Sequence, residues 1–245
     1  MLTRFQTKLG KKIQLTDDMY LLRFDLIEPK EINFLAGQYV ISLIPQGQPG
    51  QFLRRLYSIA SSPNNKNNFE LLIKNIPNGT GSIYLTSLNE EDKVLFDGPA
   101  GIFTLKENDN KKIFLATGTG LAPIRSMLQT IAQQFKVKSQ EYYLFWGLAN
   151  FKDICLLDEL KNWQRKLLNF QFFLCLSRES SLDKISGEDK KFYHLGRIPT
   201  AFDKYWEKIK DGEFNICGNR DVVESLKTYL FEKVQDKTKI YFEKF

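Results

Sequence analysis

Two kinds of apolar spacing divide the chain. In the first part, short runs rich in β-branched and aromatic residues are separated by Asn-Gly, Pro-Gly and Asn-Asn. These runs are "YLLRFDLI" (residues 20–27), "GQYVISLIP" (37–45), "RLYSIAS" (55–61), "FELLIKNI" (69–76) and "DKVLFDGP" (92–99). Several half-alternate between apolar and polar positions, as strands do when one face lies in a core. Closely spaced strands of this kind predict a small antiparallel barrel, which leaves few exposed edges.

The second part has a different period. "KIFLAT" (112–117), "EYYLFWG" (141–147), "FQFFLCLS" (170–177) and "EFNICG" (213–218) are nearly continuous apolar runs, the pattern of strands buried on both faces. Helical stripes alternate with them. Ile124, Leu128, Ile131 and Phe135 form the first stripe. Leu156, Leu157, Leu160, Trp163 and Leu167 form the second, and Val222, Val223, Leu226, Leu230 and Val234 the third. Strand–helix alternation predicts a right-handed parallel α/β sheet. The expected architecture is therefore a two-domain β + α/β protein. An N-terminal antiparallel β-barrel spans residues 1–108, and a C-terminal doubly wound parallel sheet spans 109–245. The polar stretch "KENDNK" (106–111) lies at the boundary.

Composition narrows the function. The chain has 245 residues, 42% apolar and 26% charged, typical of a globular protein with a sizeable core. No apolar run is long enough to span a bilayer and no signal-peptide pattern opens the sequence, so a cytoplasmic protein without membrane insertion is expected. The three cysteines are widely spaced and odd in number, which fits neither a disulfide framework nor a metal-ligand cluster. No cysteine quartet with iron–sulfur spacing is present, so any cluster would belong to a partner. A single histidine, His194, argues against a His-based metal site or a Ser-His-Asp hydrolase. Residues 1–105 carry 11 Lys+Arg against 10 Asp+Glu, and residues 106–245 carry 24 against 19. That uneven excess suits a solvated surface as well as attraction of an acidic protein or a phosphate-bearing ligand. Nucleic acid is not expected.

Candidate chemistry gathers at strand ends. "LATGTGLAP" places Gly118, Thr119 and Gly120 after a buried strand and Pro123 in the first turn of a helix, where its missing N–H is no loss. Such a junction is either an ordinary tight turn or an anion site built from free N–H groups and a helix dipole. "ICGNRD" repeats the arrangement with Cys217 and Gly218, and "LSRES" puts Ser177 and Arg178 at a third strand end. In the first half "RLYS" places Arg55 and Tyr57 on one face of a strand. Gly79, Gly81 and Ser82 open what reads as a short helix.

Taken in this order, the elements resemble the ferredoxin–NADP reductase superfamily over nearly the whole chain. The resemblance rests on the RxYS box (Arg55, Leu56, Tyr57, Ser58), the GxxS-like element at Gly79–Ser82 and the GTGxAP loop at Gly118–Pro123. It rests also on the Cys217-Gly218 pair and the aromatic ending "IYFEKF". It implies FAD on the barrel. Arg55 would pair with the FAD pyrophosphate, Tyr57 would stack on the isoalloxazine and Ser58 would hydrogen-bond near its N5. Backbone at Ile73 and Lys74 would contact the flavin–ribityl region, while Gly81 and Ser82 would hold the pyrophosphate. It implies a nicotinamide dinucleotide on the α/β half, held by Gly118, Thr119, Gly120, Cys217 and Gly218, with Phe245 covering the flavin face until nicotinamide arrives.

The activity so implied is electron transfer between NAD(P)H and a one-electron carrier, ferredoxin or flavodoxin. The alternatives are a reductase component of an oxygenase and an FAD-binding subunit that does not turn over. Ser177, Arg178 and Arg197 match residues that NADP-using members employ, which favours NADPH over NADH. Ala149 stands where those members often carry another arginine.

Overall fold

The computed structural model describes residues 2–133 and 140–245. Phe135, the last residue of the first helical stripe, lies outside them. Clustering of contacts divides the chain into two compact units, the first comprising the chain up to Leu105 together with Ala122–Gln133.

The first unit is built on an antiparallel sheet of six strands: β1 (Thr3–Gln14), β2 (Met19–Glu28), β3 (Tyr39–Pro45), β4 (Phe52–Ser58), β5 (Asn68–Lys74) and β6 (Lys93–Ala100). Their order is β4-β3-β6-β1-β2-β5. The five strands read from alternation are present. β1 had no counterpart in that reading. Its edge strands β4 and β5 come together at one antiparallel bridge, Ile59 to Leu71, reinforced by the Ala60 N–H donating to the Glu70 carbonyl at 2.7 Å. The interior is apolar. Phe24, Phe69 and Phe96, all fully buried, meet with ring centroids 4.9–5.7 Å apart, a spacing at which edge and stacked pairs contribute beyond their buried area. Helix α1 (Thr80–Ser87) packs beside β5 and β3.

Helix α2 (Leu121–Gln133) belongs, from Ala122 onward, to this same unit. Its polar residues Arg125 and Ser126 are buried. Ser126 donates to the Ser61 carbonyl at 2.6 Å and Gln129 accepts from the Ser62 N–H at 2.8 Å.

The second unit holds six parallel strands: β7 (Lys112–Thr117), β8 (Tyr142–Leu148), β9 (Phe170–Leu176), β10 (Tyr193–Leu195), β11 (Glu213–Gly218) and β12 (Ile240–Lys244). Their order is β10-β9-β8-β7-β11-β12. The remaining helices are α3 (Leu157–Lys166), α4 (Ile198–Phe202), α5 (Trp206–Ile209) and α6 (Arg220–Lys233). One sheet face, with Ile113, Leu115, Phe145 and Phe173, packs on Ile198, Phe202, Ile209, Val223 and Leu230. Residues of the other face, Phe114, Leu144 and Phe172, are also fully buried, which explains the unbroken apolar runs. The chain runs outward from β7 through β8 and β9 to β10, then returns to β11 on the other side of β7. The point of reversal, between β7 and β11, is where open α/β sheets bind ligands. Among the described residues, no helix is long and apolar enough to cross a membrane.

Candidate functional site

Each unit gathers a set of the expected residues, and glycine accounts for the closeness of both sets. In the first unit, Arg55, Leu56, Tyr57 and Ser58 lie on edge strand β4, with Arg55 and Leu56 exposed and Tyr57 partly buried. An ideal Cβ on Gly81 would fall 2.5 Å from the Tyr57 hydroxyl and 2.9 Å from Arg55 Cγ. A side chain at position 81 would have to displace the Tyr57 and Arg55 side chains from the first turn of α1. The RxYS box and the Gly79–Ser82 element, far apart in sequence, are thus one place. Burial pushes the Tyr57 phenol up to about 12, against the pull of the Arg55 charge, so the ring is neutral in the physiological range. The Arg55 guanidinium donates to the Arg54 carbonyl at 2.9 Å and lies on the exposed surface.

Ser82 differs from expectation in what its hydroxyl does. It accepts from the Ile76 N–H at 3.1 Å and donates to the Gly79 carbonyl at 3.0 Å, closing its own turn. What α1 offers an anion is therefore backbone N–H, since the first turn of a helix has no intrahelical acceptors and Gly79 supplies no side-chain cap. Ile73 turns its side chain into the core, opposite Tyr20 of β2 in the sheet. Lys74 pairs with Asp18 at 3.2 Å.

The sequence reading missed Asn75. Its Oδ1 is buried without a partner at the end of β5, next to Ile76 and so beside the α1 turn. A buried acceptor left unmatched costs on the order of 1–3 kcal/mol, which a bound donor would recover.

In the second unit the GTG loop and the Cys217-Gly218 pair lie at the reversal point. A Cβ on Gly120 would fall 2.1 Å from the Cys217 carbonyl oxygen, and one on Gly218 would fall 2.0 Å from Thr117 Oγ1. The two strand ends touch backbone to backbone. The Trp146 indole N–H donates to the Gly118 carbonyl at 3.1 Å and steadies the loop. Thr117 is a second omission of the sequence reading. Its Oγ1 is buried and unpartnered, between Gly147 of β8 and Gly218 of β11. Pro123 sits inside α2, three residues into the helix that the loop opens. Burial, with the Glu243 carboxylate adding to it, raises the Cys217 thiol well above its ordinary range. It is 1% exposed and stays protonated, a neutral neighbour rather than a thiolate nucleophile.

Ser177 and Arg178 follow β9, whose Leu176 pairs with Leu195 of β10. Arg197 stands two residues beyond Leu195, as Arg178 stands two beyond Leu176. The parallel register therefore brings both arginines, exposed, to the same strand-end edge. Backbone bonds fix the turn: the N–H groups of Ser177 and Arg178 donate to the Leu148 and Ala149 carbonyls at 3.0 and 2.9 Å. β9 is two strands from β7, so this edge lies roughly 10 Å from the GTG loop at an interstrand spacing of about 4.8 Å. Phe245 extends β12 to the end of β11, where its N–H donates to the Gly218 carbonyl at 3.3 Å, and its ring is exposed.

Sequence comparison settles the family. Residues 6–105 match the Oxidoreductase FAD-binding domain and residues 114–228 match the Oxidoreductase NAD-binding domain. The chain belongs to the ferredoxin–NADP reductase superfamily. Members are FAD-dependent NAD(P)H oxidoreductases, and the two matched domains are the ones that carry FAD and the nicotinamide dinucleotide. Among similar curated proteins is the anthranilate 1,2-dioxygenase electron transfer component of Acinetobacter baylyi. It is 31% identical over 88% of this chain and 59% of its own length. The reductase component 1 of a Comamonas terephthalate 1,2-dioxygenase is 27% identical over 92% of this chain and 63% of its own length. The chain thus spans about three fifths of the length of these relatives. Among solved structures, an Amycolatopsis cytochrome P450 reductase shares the fold with a TM-score of 0.84 at 24% identity, covering 100% of this chain and 70% of that one.

Proposed function

We propose that the chain is an NAD(P)H-oxidising reductase that delivers electrons to a one-electron carrier protein. The observation carrying this reading is the pair of close backbone approaches, at Gly81 and at Gly120–Gly218. Each makes a cradle that a Cβ would fill, and each lies beside an unpartnered buried oxygen, Asn75 Oδ1 or Thr117 Oγ1. Those features fit FAD in the first unit and a dinucleotide in the second. When bound, FAD takes a hydride from nicotinamide and releases the electrons one at a time.

The residues then bind and orient. Arg55, exposed, neutralises the FAD pyrophosphate beside the first-turn N–H groups of α1 around Gly81 and Ser82. Tyr57, neutral and held by Gly81, offers a ring face to the flavin, while Ser58 offers a hydroxyl. Lys74, next to Ile73 on edge strand β5, offers backbone on the side away from β2. Gly118, Thr119 and Gly120 let the dinucleotide pyrophosphate reach main-chain N–H groups, with Cys217 and Gly218 as the neighbouring wall. Phe245 holds its exposed ring at the end of β11, beside Gly218.

Ser177, Arg178 and Arg197, about 10 Å along the strand ends from the GTG loop, suit a 2′-phosphate, so NADPH is the proposed donor. Two guanidiniums match a phosphate better than they match a bare ribose. The carrier is an acidic ferredoxin or flavodoxin, drawn by the basic excess of residues 106–245. A second reading, an oxygenase reductase component, is favoured by the relatives named above. Cys155, Cys175 and Cys217 are buried thiols, which suits a reducing cytoplasm. Turnover with a dye acceptor, compared with turnover on ferredoxin, on flavodoxin and on an oxygenase's own iron–sulfur component, tests the proposal. Failure to reduce the dye from either nicotinamide donor would overturn it.

A further inference from the structure

Helix α2 carries a buried arginine that no motif marks. Arg125 is 4% exposed. Its Nη1 donates to the Ala60 carbonyl at 2.8 Å and to Glu70 Oε2 at 2.7 Å. These acceptors lie on opposite sides of the barrel's closing seam, for Ala60 follows β4, Glu70 lies on β5, and the Ile59–Leu71 bridge is beside them both. The same helix continues the seam. Ser126 holds the Ser61 carbonyl at 2.6 Å, Gln129 holds the Ser62 N–H at 2.8 Å, and Gln133 accepts from Ser62 Oγ and Asn64 Nδ2, each at 2.7 Å. One buried cation thus closes the two edges of a sheet two residues after Ser58 and three after Tyr57.

We infer that Arg125 is a positioning residue, fixing Tyr57 and Ser58 by fastening the seam from which they extend. The inference rests on the proposed flavin role of those two residues. The physical reasons are local. Ala60 is covalently two residues from Ser58, so displacement of the Ala60 carbonyl is passed along β4 with little loss. Glu70 sits one residue from Leu71, the β5 side of the bridge. Because Arg125 donates to both with the one nitrogen, losing it removes a side-chain tie from both edges at once and leaves the backbone bridge to hold them. A neutral replacement also leaves Glu70 without its cation, and that carboxylate then draws water to the seam. Five residues separate Arg125 from Gly120 along the chain, so the helix that rivets the seam is the one the GTG loop opens.

The test compares wild type with Arg125→Gln and Arg125→Lys, as FAD-loaded full-length protein. Three quantities are measured: the FAD dissociation constant, the visible circular dichroism of the bound flavin, and the limiting rate of flavin reduction at saturating NADPH. Arg125→Gln is expected to weaken FAD binding at least tenfold, to alter the flavin dichroism and to slow the limiting rate at least tenfold. Arg125→Lys, which keeps the charge and one donor, should recover part of each. If Arg125→Gln lowers the melting temperature yet keeps wild-type FAD affinity, dichroism and limiting rate, Arg125 is structural only and the inference is wrong. Should that variant fail to fold, Ser126→Ala/Gln129→Ala loosens the same seam with the ion pair intact. Wild-type behaviour of that double variant in all three measurements would equally overturn the inference. A wild-type protein that binds FAD but is not reduced by nicotinamide would instead refute the functional reading, and the affinity and dichroism comparisons would still decide the role of Arg125.

Discussion

Replacing Gly120 by alanine probes the dinucleotide cradle with a single methyl group. The added Cβ would sit 2.1 Å from the Cys217 carbonyl oxygen, 2.5 Å from its carbonyl carbon and 2.8 Å from Gly218 Cα. Ordinary contact begins near 3.4 Å, so the loop and the end of β11 must separate by about 1.3 Å. The obstacles are backbone atoms of a buried central strand, which no rotamer change relieves. Overpacking of this kind costs about 1–3 kcal/mol, small enough for the fold to survive. The functional cost is of the same order but falls on the rate, because a misplacement of about 1 Å costs on the order of 100-fold, about 2.7 kcal/mol.

The Ala variant is therefore expected to bind FAD normally and to accept electrons from dithionite. Its limiting rate of flavin bleaching by NADPH in stopped flow should fall by about two orders of magnitude. Gly47→Ala, in the turn between β3 and β4, is the control. Its Cβ meets nothing within 4 Å, and only the positive φ of 52° stands against it, a strain of about 1–2 kcal/mol. Wild-type bleaching by Gly120→Ala, in both rate and NADPH dependence, would refute the view that this backbone approach forms the dinucleotide site.

Other consequences follow from the same geometry. Gly81→Ala should push the Tyr57 ring and Arg55 off the α1 turn and yield protein largely stripped of FAD, read from the ratio of visible to ultraviolet absorbance. Arg178→Ala and Arg197→Ala should each lower kcat/KM for NADPH by about 10–100-fold, the worth of a charge-assisted bond, and leave NADH nearly unchanged. Equal losses for both donors would remove the case for a 2′-phosphate site. Lys112→Met should destabilise the protein by about 3–5 kcal/mol, because Lys112 Nζ lies 2.5 Å from Glu213 Oε2 in a pair almost wholly buried. Burial pushes the Glu213 carboxyl up, but bonds from Lys112, Asn110 and Asn108 together outweigh it and leave it below the ordinary range. A depressed carboxyl stabilises the fold at neutral pH, and that stability is lost as pH falls through the ordinary glutamate range toward the lowered value. Glu213→Gln should flatten this acid limb in thermal melts.

The fold was legible wherever periodicity was strong. Strands β2 to β9 and β11, and the helical stripes of α3 and α6, are read correctly because burial on one or two faces dictates their apolar spacing. β1 escaped because lysines crowd its second half and a register shift between Leu9 and Lys11 breaks its alternation. Gly10 lies in that break, where a Cβ would fall 1.9 Å from Asp25 Oδ2. β10, three residues long, is too short to show any period. The polar stripe of α2 gave no sign of being buried, since Arg125, Ser126 and Gln129 are satisfied by a segment some 60 residues away. Lys112 was hidden likewise, its partner Glu213 lying far along the chain. Motif spacing exposed the glycine-rich strand ends, but not the approach distances that make Gly81 and Gly120 indispensable. Thr117 and Asn75 carry no motif and become visible only as buried oxygens without partners.

The most direct measurement is the visible spectrum of the purified protein, taken anaerobically before and after NADPH. The account predicts a yellow protein whose flavin absorbance bleaches within seconds of adding NADPH and returns on adding an oxidised one-electron acceptor. A well-folded protein that stays colourless after incubation with FAD, or one whose bound flavin ignores both NADPH and NADH, would contradict it.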